Sequence, residues 1–393
     1  MKIKIKKYTN LFTSFIESEK SSGIILIFCT IISLVISNLP EGKSYSDLFH
    51  TGIDLSFWKV DLNLNLELWI NDGLMTIFFL MVGLEIEREF YVGELKSIRQ
   101  ASLPIFAAIG GMLVPALVHF YFNQGTPTQH GFAIPMATDI AFSLGIMSLA
   151  GNRIPLSLKI FLTALAIIDD LGAILMIAIF YTDNLQSNFL IAALLIFSGL
   201  LLLNKFKVTR LVFYILPGIV MWYCMLQSGV HATISGVLLA FAIPFNKKDA
   251  LNVSDKLLDM LHNPVAFFII PLFALANTAI QLPFDLQESL TTSNSFGVML
   301  GLLVGKPVGV FLFSFASVKF KISSLYEEMN WGNLFGVSLL TGIGFTMSIF
   351  IANLAFSDVT IITQSKLSIL LASVVAAILG LILLFRTNKP KLV

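Results

Sequence analysis

The chain has 393 residues, 56% of them apolar and 12% charged, with 35 phenylalanines and a net charge of +1. That balance excludes an ordinary soluble globule, and it excludes a binder of nucleic acid or of strongly acidic partners, which needs a charge excess. The two cysteines, Cys29 and Cys224, both sit inside apolar runs, so neither a disulfide framework nor a cysteine metal site is expected.

Repeated apolar runs predict one all-α polytopic membrane domain over 1–393. Twelve candidate spans lie near 22–39, 69–87, 103–122, 131–150, 157–181, 189–204, 211–227, 229–245, 264–282, 296–316, 332–356 and 367–385. Lys2, Lys4, Lys6 and Lys7 before the first apolar run imitate a signal peptide. No small-residue cleavage pattern follows Leu39 and further spans come after it, so a retained first helix is expected. Residues 10–20 oppose Leu11, Phe12, Phe15 and Ile16 to Glu17, Glu19 and Lys20, so 1–20 reads as an interfacial N-terminal segment.

Orientation follows from lysine and arginine, which favour cytoplasmic segments. With the N-terminus inside, 21 of the 25 basic residues fall on inner segments, while Lys43, Lys59 and Lys366 fall outside and Lys306 lies within a span. Both termini are therefore expected in the cytoplasm, including a tail at 386–393. The stretch at 40–68 becomes an external loop. Within it, Val60 to Leu68 alternates apolar and polar residues, the period of a half-buried strand. Such a strand or hairpin has two readings, packing on its own helix ends or pairing with a second copy.

Two spans are interrupted. Pro135 removes a backbone donor just before Thr138 and Asp139, and Gly342 and Gly344 break an apolar run among Thr341, Thr346 and Ser348. Proline and glycine are tolerated in kinked spans, but interrupted helices in corresponding halves of a chain also mark transporter binding sites.

Asp169 and Asp170 stand side by side in the apolar run from Leu156 to Tyr181. Each ionised aspartate at mid-membrane costs roughly 2.5–3.5 kcal/mol on insertion scales, so such acids are functional by default. Neighbouring helix positions point about 100° apart, so the two cannot aim at one point. Asp139 and Lys306 are the other ionisable residues deep in spans. A buried Asp–Lys pair that fixes helix registry accounts for one carboxylate only, and the sequence offers three against one lysine. Carboxylate, hydroxyl and carbonyl oxygens suit a small hard cation, and Thr138 and Asp139 in an unwound segment supply them. Half-helix ends attract acids at N-termini and a lysine at C-termini, roles that Asp139 and Lys306 fit. An intramembrane aspartyl protease needs facing acids on separate helices, and a passive channel does not need a buried lysine.

Ile134 to Phe142 (IPMATDIAF), Ala164 to Gly172 (ALAIIDDLG), Gly229 to Thr233 (GVHAT), Gly305-Lys306-Pro307 and Gly342 to Phe350 (GIGFTMSIF) resemble the NhaA sodium/proton antiporters. The resemblance runs from about residue 20 to the end. It implies a bacterial inner-membrane antiporter with inverted repeats, two unwound crossing helices, no cofactor and no enzymatic activity. It would exchange cytoplasmic sodium or lithium for two external protons and form a homodimer through the first external loop. It further implies that Asp170 is the principal ligand of the transported ion, and that Asp169 carries protons and pairs with Lys306. Thr138 and Asp139 assist, and Pro135, Gly342, Gly344 and Thr346 belong to the unwound segments.

The resemblance also places pH control at cytoplasmic acids and histidines, matching Glu85, Glu89 and His262. Leu258 and Asp259 stand where relatives carry a Glu-His pair, a departure that leaves the pH set point open. Glu85 and Glu89 also read as a solvated helix end beside Arg88, and His231 reads equally as a packed histidine or a sensor.

Overall fold

The computed structural model describes residues 21–56, 60–93, 96–182, 185–245 and 252–388. The interfacial segment expected over 1–20 and the tail beyond residue 388 lie outside the described residues. The fold is mostly helical. Among the described residues, seven helices are long and apolar enough to cross a membrane, or up to ten if each of three bent pairs is one span.

The chain forms two compact units, each assembled from distant stretches. The first comprises the described residues up to Phe28, Ser97–Ala173 and the chain from Pro283 onward. The second comprises Cys29–Lys96 and Ile174–Leu282. The helix Leu156–Phe180 contributes to both.

In the first unit, Lys306–Lys319 packs along Ile98–Asn123, and Trp331–Thr341 packs along Val359–Thr387. Glycine permits the first contact. A Cβ on Gly309 would fall 2.1 Å from the Gly110 carbonyl oxygen, and one on Gly110 would fall 2.2 Å from that of Gly309. The two backbones touch there, the close approach that small residues allow between membrane helices. Two spans of this unit are broken. Pro127–Met136 is a 3-10 helix separated from Ile140–Leu149 by non-helical Ala137 to Asp139, with a bend of 46°. Trp331–Thr341 and Phe345–Ala355 are separated at Gly342 to Gly344, with a bend of 43°.

In the second unit, Leu66–Tyr91, Ser187–Lys205, Val212–Ser228, Ile234–Ala242 and Val253–Asn277 surround a core of Leu84, Tyr214, Met221, Ala240 and Ile243. The span expected at 229–245 is helical only over Ile234–Ala242, because Gly229 closes the preceding helix with a left-handed φ of 82°. The span expected at 264–282 starts earlier, at Val253, where the Asn252 side chain caps the helix by accepting from Ser254 N.

The strand expected over 60–68 is shorter than the alternation suggests. β2 (Asn63–Asn65) pairs antiparallel with β1 (Gly52–Asp54), with Ile53 opposite Leu64. Leu66–Leu68 is helical because the Asn65 side chain accepts the Leu68 N–H at 2.7 Å, a local cap that overrides the period-two pattern. The hairpin is held by its own unit. Asp61 N donates to Tyr223 Oη at 3.3 Å, and Gln227 Nε2 donates to the Asp61 carbonyl at 3.2 Å.

Candidate functional site

Asp169 and Asp170 sit in the helix Leu156–Phe180 and are 0% and 1% exposed. Burying a carboxylate this fully requires compensation by charge or hydrogen bonds. For Asp169 it comes from two directions. Lys306 Nζ lies 2.9 Å from Asp169 Oδ2, with both side chains fully buried. Thr138 Oγ1 donates to the same oxygen at 2.8 Å and also lies 3.1 Å from the Thr341 carbonyl oxygen. Asp169 Oδ1 has no hydrogen-bond partner among the described residues. A Cβ built on Gly111 would fall 2.8 Å from Val310 Cγ2, so glycine here lets the helix that carries Lys306 approach closely.

Lys306 opens the helix Lys306–Lys319 directly after a π-helical turn, Gly301–Gly305. Its ammonium also donates to the Met136 carbonyl, the last residue of Pro127–Met136. A cation thus meets the C-terminal end of one half of a broken span, where exposed carbonyls favour positive charge.

Asp139 serves the opposite ends. Its Oδ1 accepts the Phe142 N–H at 2.9 Å, capping Ile140–Leu149. Its Oδ2 accepts the Thr346 N–H at 3.0 Å and also bonds the Thr346 hydroxyl, at the start of Phe345–Ala355. One carboxylate therefore faces two helix N-termini, each carrying roughly half a positive charge. The breaks are joined by backbone as well, because Asp139 N donates to the Ile343 carbonyl at 2.8 Å. Ser348 Oγ donates to the Ile134 carbonyl at 2.7 Å and Ser143 Oγ to the Leu340 carbonyl at 3.2 Å.

The first unit thus brings together Thr138, Asp139, Asp169, Lys306 and Thr346, with Asp170 next in the chain and Pro135, Gly342 and Gly344 in or beside the breaks. The Met136 and Thr341 carbonyls were not among the candidates, since a backbone oxygen carries no residue-type signal, and neither was the Ser143 hydroxyl, one serine among many in an apolar run. Among the described residues, no group of three His, Cys, Asp or Glu side chains is arranged to hold a metal ion. The site is built instead from the carboxylates of Asp139 and Asp169 plus hydroxyl and carbonyl oxygens, donors suited to a small hard cation.

Glu85, Glu89, His231 and His262 belong to the second unit. Glu85 and Glu89 lie on Met75–Tyr91, and His262 lies in the last turn of Val253–Pro264, which packs on it. Arg88 is within electrostatic reach of Glu85, Asp255 and His262. Sequence reasoning passed over Glu87, which is 7% exposed and accepts from Ser254 Oγ at 3.3 Å. Its burial beside Arg88 was hidden by the solvated-looking run of charges.

Residues 13–384 match the family described as Na+/H+ antiporter 1. The chain is 58% identical over 375 residues to the Na(+)/H(+) antiporter NhaA of Flavobacterium psychrophilum, covering 95% of each chain. It is 52% identical over 387 residues to that of Cytophaga hutchinsonii, covering 98% of each, and 53% identical over 378 residues to that of Dechloromonas aromatica, covering 95% of each. Matched by the family model over nearly its whole length and by relatives at this identity, the chain belongs to the Na+/H+ antiporter 1 family.

Proposed function

We propose that this protein is a membrane-embedded secondary transporter that exchanges sodium for protons at the buried centre of its first unit. Family membership makes it a transporter rather than an enzyme, and neither the passive channel nor the aspartyl protease has support in that family. The observation that carries the mechanism is the Lys306–Asp169 contact at 2.9 Å, completed by Thr138. An occupied ion pair at the cation site is what competition between ion and proton requires. Sodium entering beside Asp170 draws Asp169 away from Lys306, and protons arriving from the other side restore the pair. The same oxygens hold either the ion or protons, so neither crosses without the other. Asp139 and Thr346 keep the two breaks in register while this happens.

Several finer features complete the reading. All 393 residues work as one transmembrane domain in a bacterial inner membrane, with twelve spans, both termini cytoplasmic, and two unwound helices crossing near the membrane centre. The breaks at Ala137 to Asp139 and Gly342 to Gly344, joined through Asp139 and Ile343, support that crossing. Exchange is electrogenic, takes lithium as well as sodium, and serves sodium and pH homeostasis. Glu85, Glu89, His231 and His262 set its pH response.

The protein works as a homodimer through the external hairpin. The outer edges of β1 and β2 offer the backbone groups that a second copy would use. Deleting residues 60–68, which carry β2, should leave monomers on native gels that still exchange ions, and dimers that survive it would place the contact elsewhere. Reconstitution in vesicles with an internal pH dye tests the function itself. Added sodium or lithium should drive a pH change, and cation flux without proton counterflow would refute exchange.

A further inference from the structure

Lys306 owes its place to an irregular turn. Gly301–Gly305 is π-helical and closes with the Lys306 N–H donating to the Gly301 carbonyl, five residues back instead of four. The next residue, Pro307, has no N–H, and in a regular helix its ring clashes with the carbonyl four residues back, that of Leu303. A turn wide enough for one extra residue relieves that clash. The second unit repeats the construction. Val265–Ile269 is π-helical, Ile270 N donates to the Val265 carbonyl, and Pro271 follows. There the residue that closes the turn is an isoleucine, whereas at 306 it is the buried lysine.

The wide turn leaves the Leu302 carbonyl without a helical donor. Its regular partner, the Lys306 N–H, is taken by Gly301, and the residue next in line is a proline. A buried carbonyl in that position is costly and persists only where its surroundings hold it. Two contacts do so. A Cβ on Gly342 would fall 2.5 Å from the Leu302 oxygen, so glycine in the second break admits that carbonyl. A Cβ on Gly301 would fall 2.7 Å from Pro135 Cβ, so the turn also lies against the segment leading into the first break. π turns within α-helices recur at functional sites, and this one touches both breaks and carries Lys306. In the regular register the Lys306 N–H bonds the Leu302 carbonyl instead. Residue 306 then follows the phase of the preceding helix, Ser293–Leu300, about 100° from its present direction, and its ammonium leaves Asp169.

We propose that Pro307 is a positioning residue for exchange. It holds the turn before it in the wide register that sets Lys306 on Asp169, and Lys306 releases Asp169 when the turn passes to the regular register. The inference rests on the competition between sodium and Lys306 proposed above, and it supplies the movement that competition needs. The two ends of the helix stay packed while one residue of register passes through the turn.

The test is thermal unfolding of the purified full chain over a range of sodium concentrations, with choline making up the salt. A cation that binds the folded chain raises its melting temperature, and the sodium concentration at which the gain sets in reports affinity whether or not a variant transports. Lys306→Gln should lower that onset, since no ammonium then competes for Asp169. Pro307→Ala frees the regular register and removes no helical donor. It should lower the onset roughly two- to tenfold, the range that a bias of one hydrogen bond gives. Lys306→Gln/Pro307→Ala should match Lys306→Gln alone, because the proline acts only through the lysine. Pro271→Ala, at the like-built turn of the second unit, should keep the wild-type onset. An unchanged onset in Pro307→Ala, an equal drop from Pro271→Ala, or a further drop when Pro307→Ala is added to Lys306→Gln would each overturn the proposal and leave the exchange reading standing. A wild-type onset in Lys306→Gln would overturn that reading and the proposal with it.

Discussion

Asp139 accepts the backbone N–H of Thr346 at 3.0 Å across 207 residues of chain, while its other oxygen accepts that of Phe142 at 2.9 Å. A single carboxylate thereby caps two half-helices whose N-terminal dipoles would otherwise face each other unscreened.

Asp139→Asn keeps one acceptor oxygen but loses the charge, so it should slow exchange without stopping it. Asp139→Ala removes both caps. Each lost cap costs about 0.5–2 kcal/mol, so the alanine variant should melt well below the asparagine one in detergent. Equal melting temperatures for the two variants would show that the caps contribute little.

In the proposed exchange Lys306 both holds Asp169 and releases it. Removing one partner of a buried pair costs about 3–5 kcal/mol, so Lys306→Ala should lower thermal stability clearly. Lys306→Gln keeps length and a hydrogen-bond donor but neither charge nor titratable proton. It should still exchange sodium, with net charge movement lost, because the lysine would account for the second proton. Persistent electrogenic exchange in that variant would reduce Lys306 to a fixed counter-charge.

Cation binding needs carboxylates free of protons, so the apparent KM for sodium should fall as pH rises and level off once the centre is deprotonated. Replacing Glu85, Glu89 and His262 together by neutral residues should shift the pH at which exchange turns on while preserving its maximum. An unchanged profile would leave competition at the centre as the whole of the pH control.

Much of this centre was legible in the sequence for one physical reason. Asp139, Asp169 and Lys306 are costly in an apolar run, so their presence alone announced partners. Pro135, Gly342 and Gly344 announced the breaks in the same way, by removing donors or loosening backbone. The partners that are backbone were silent. The Met136 and Thr341 carbonyls receive Lys306 and Thr138 only because the breaks leave them without helical donors. The meeting of Gly110 with Gly309 depends on packing between elements far apart in sequence. The strand overran its true end because alternation continues through Leu66–Leu68, where the Asn65 side chain imposes a helical turn.

The central claim is that Asp169 and Asp170 hold, in turn, the protons and the sodium that are exchanged. It is tested most directly in vesicles carrying the Asp170→Asn variant and an internal pH dye. An asparagine holds no proton to release, so a sodium pulse that changes the internal pH of wild-type vesicles should leave these unchanged. The Asp169→Asn vesicles should be equally silent. A wild-type pH response from the Asp170→Asn protein would contradict the account.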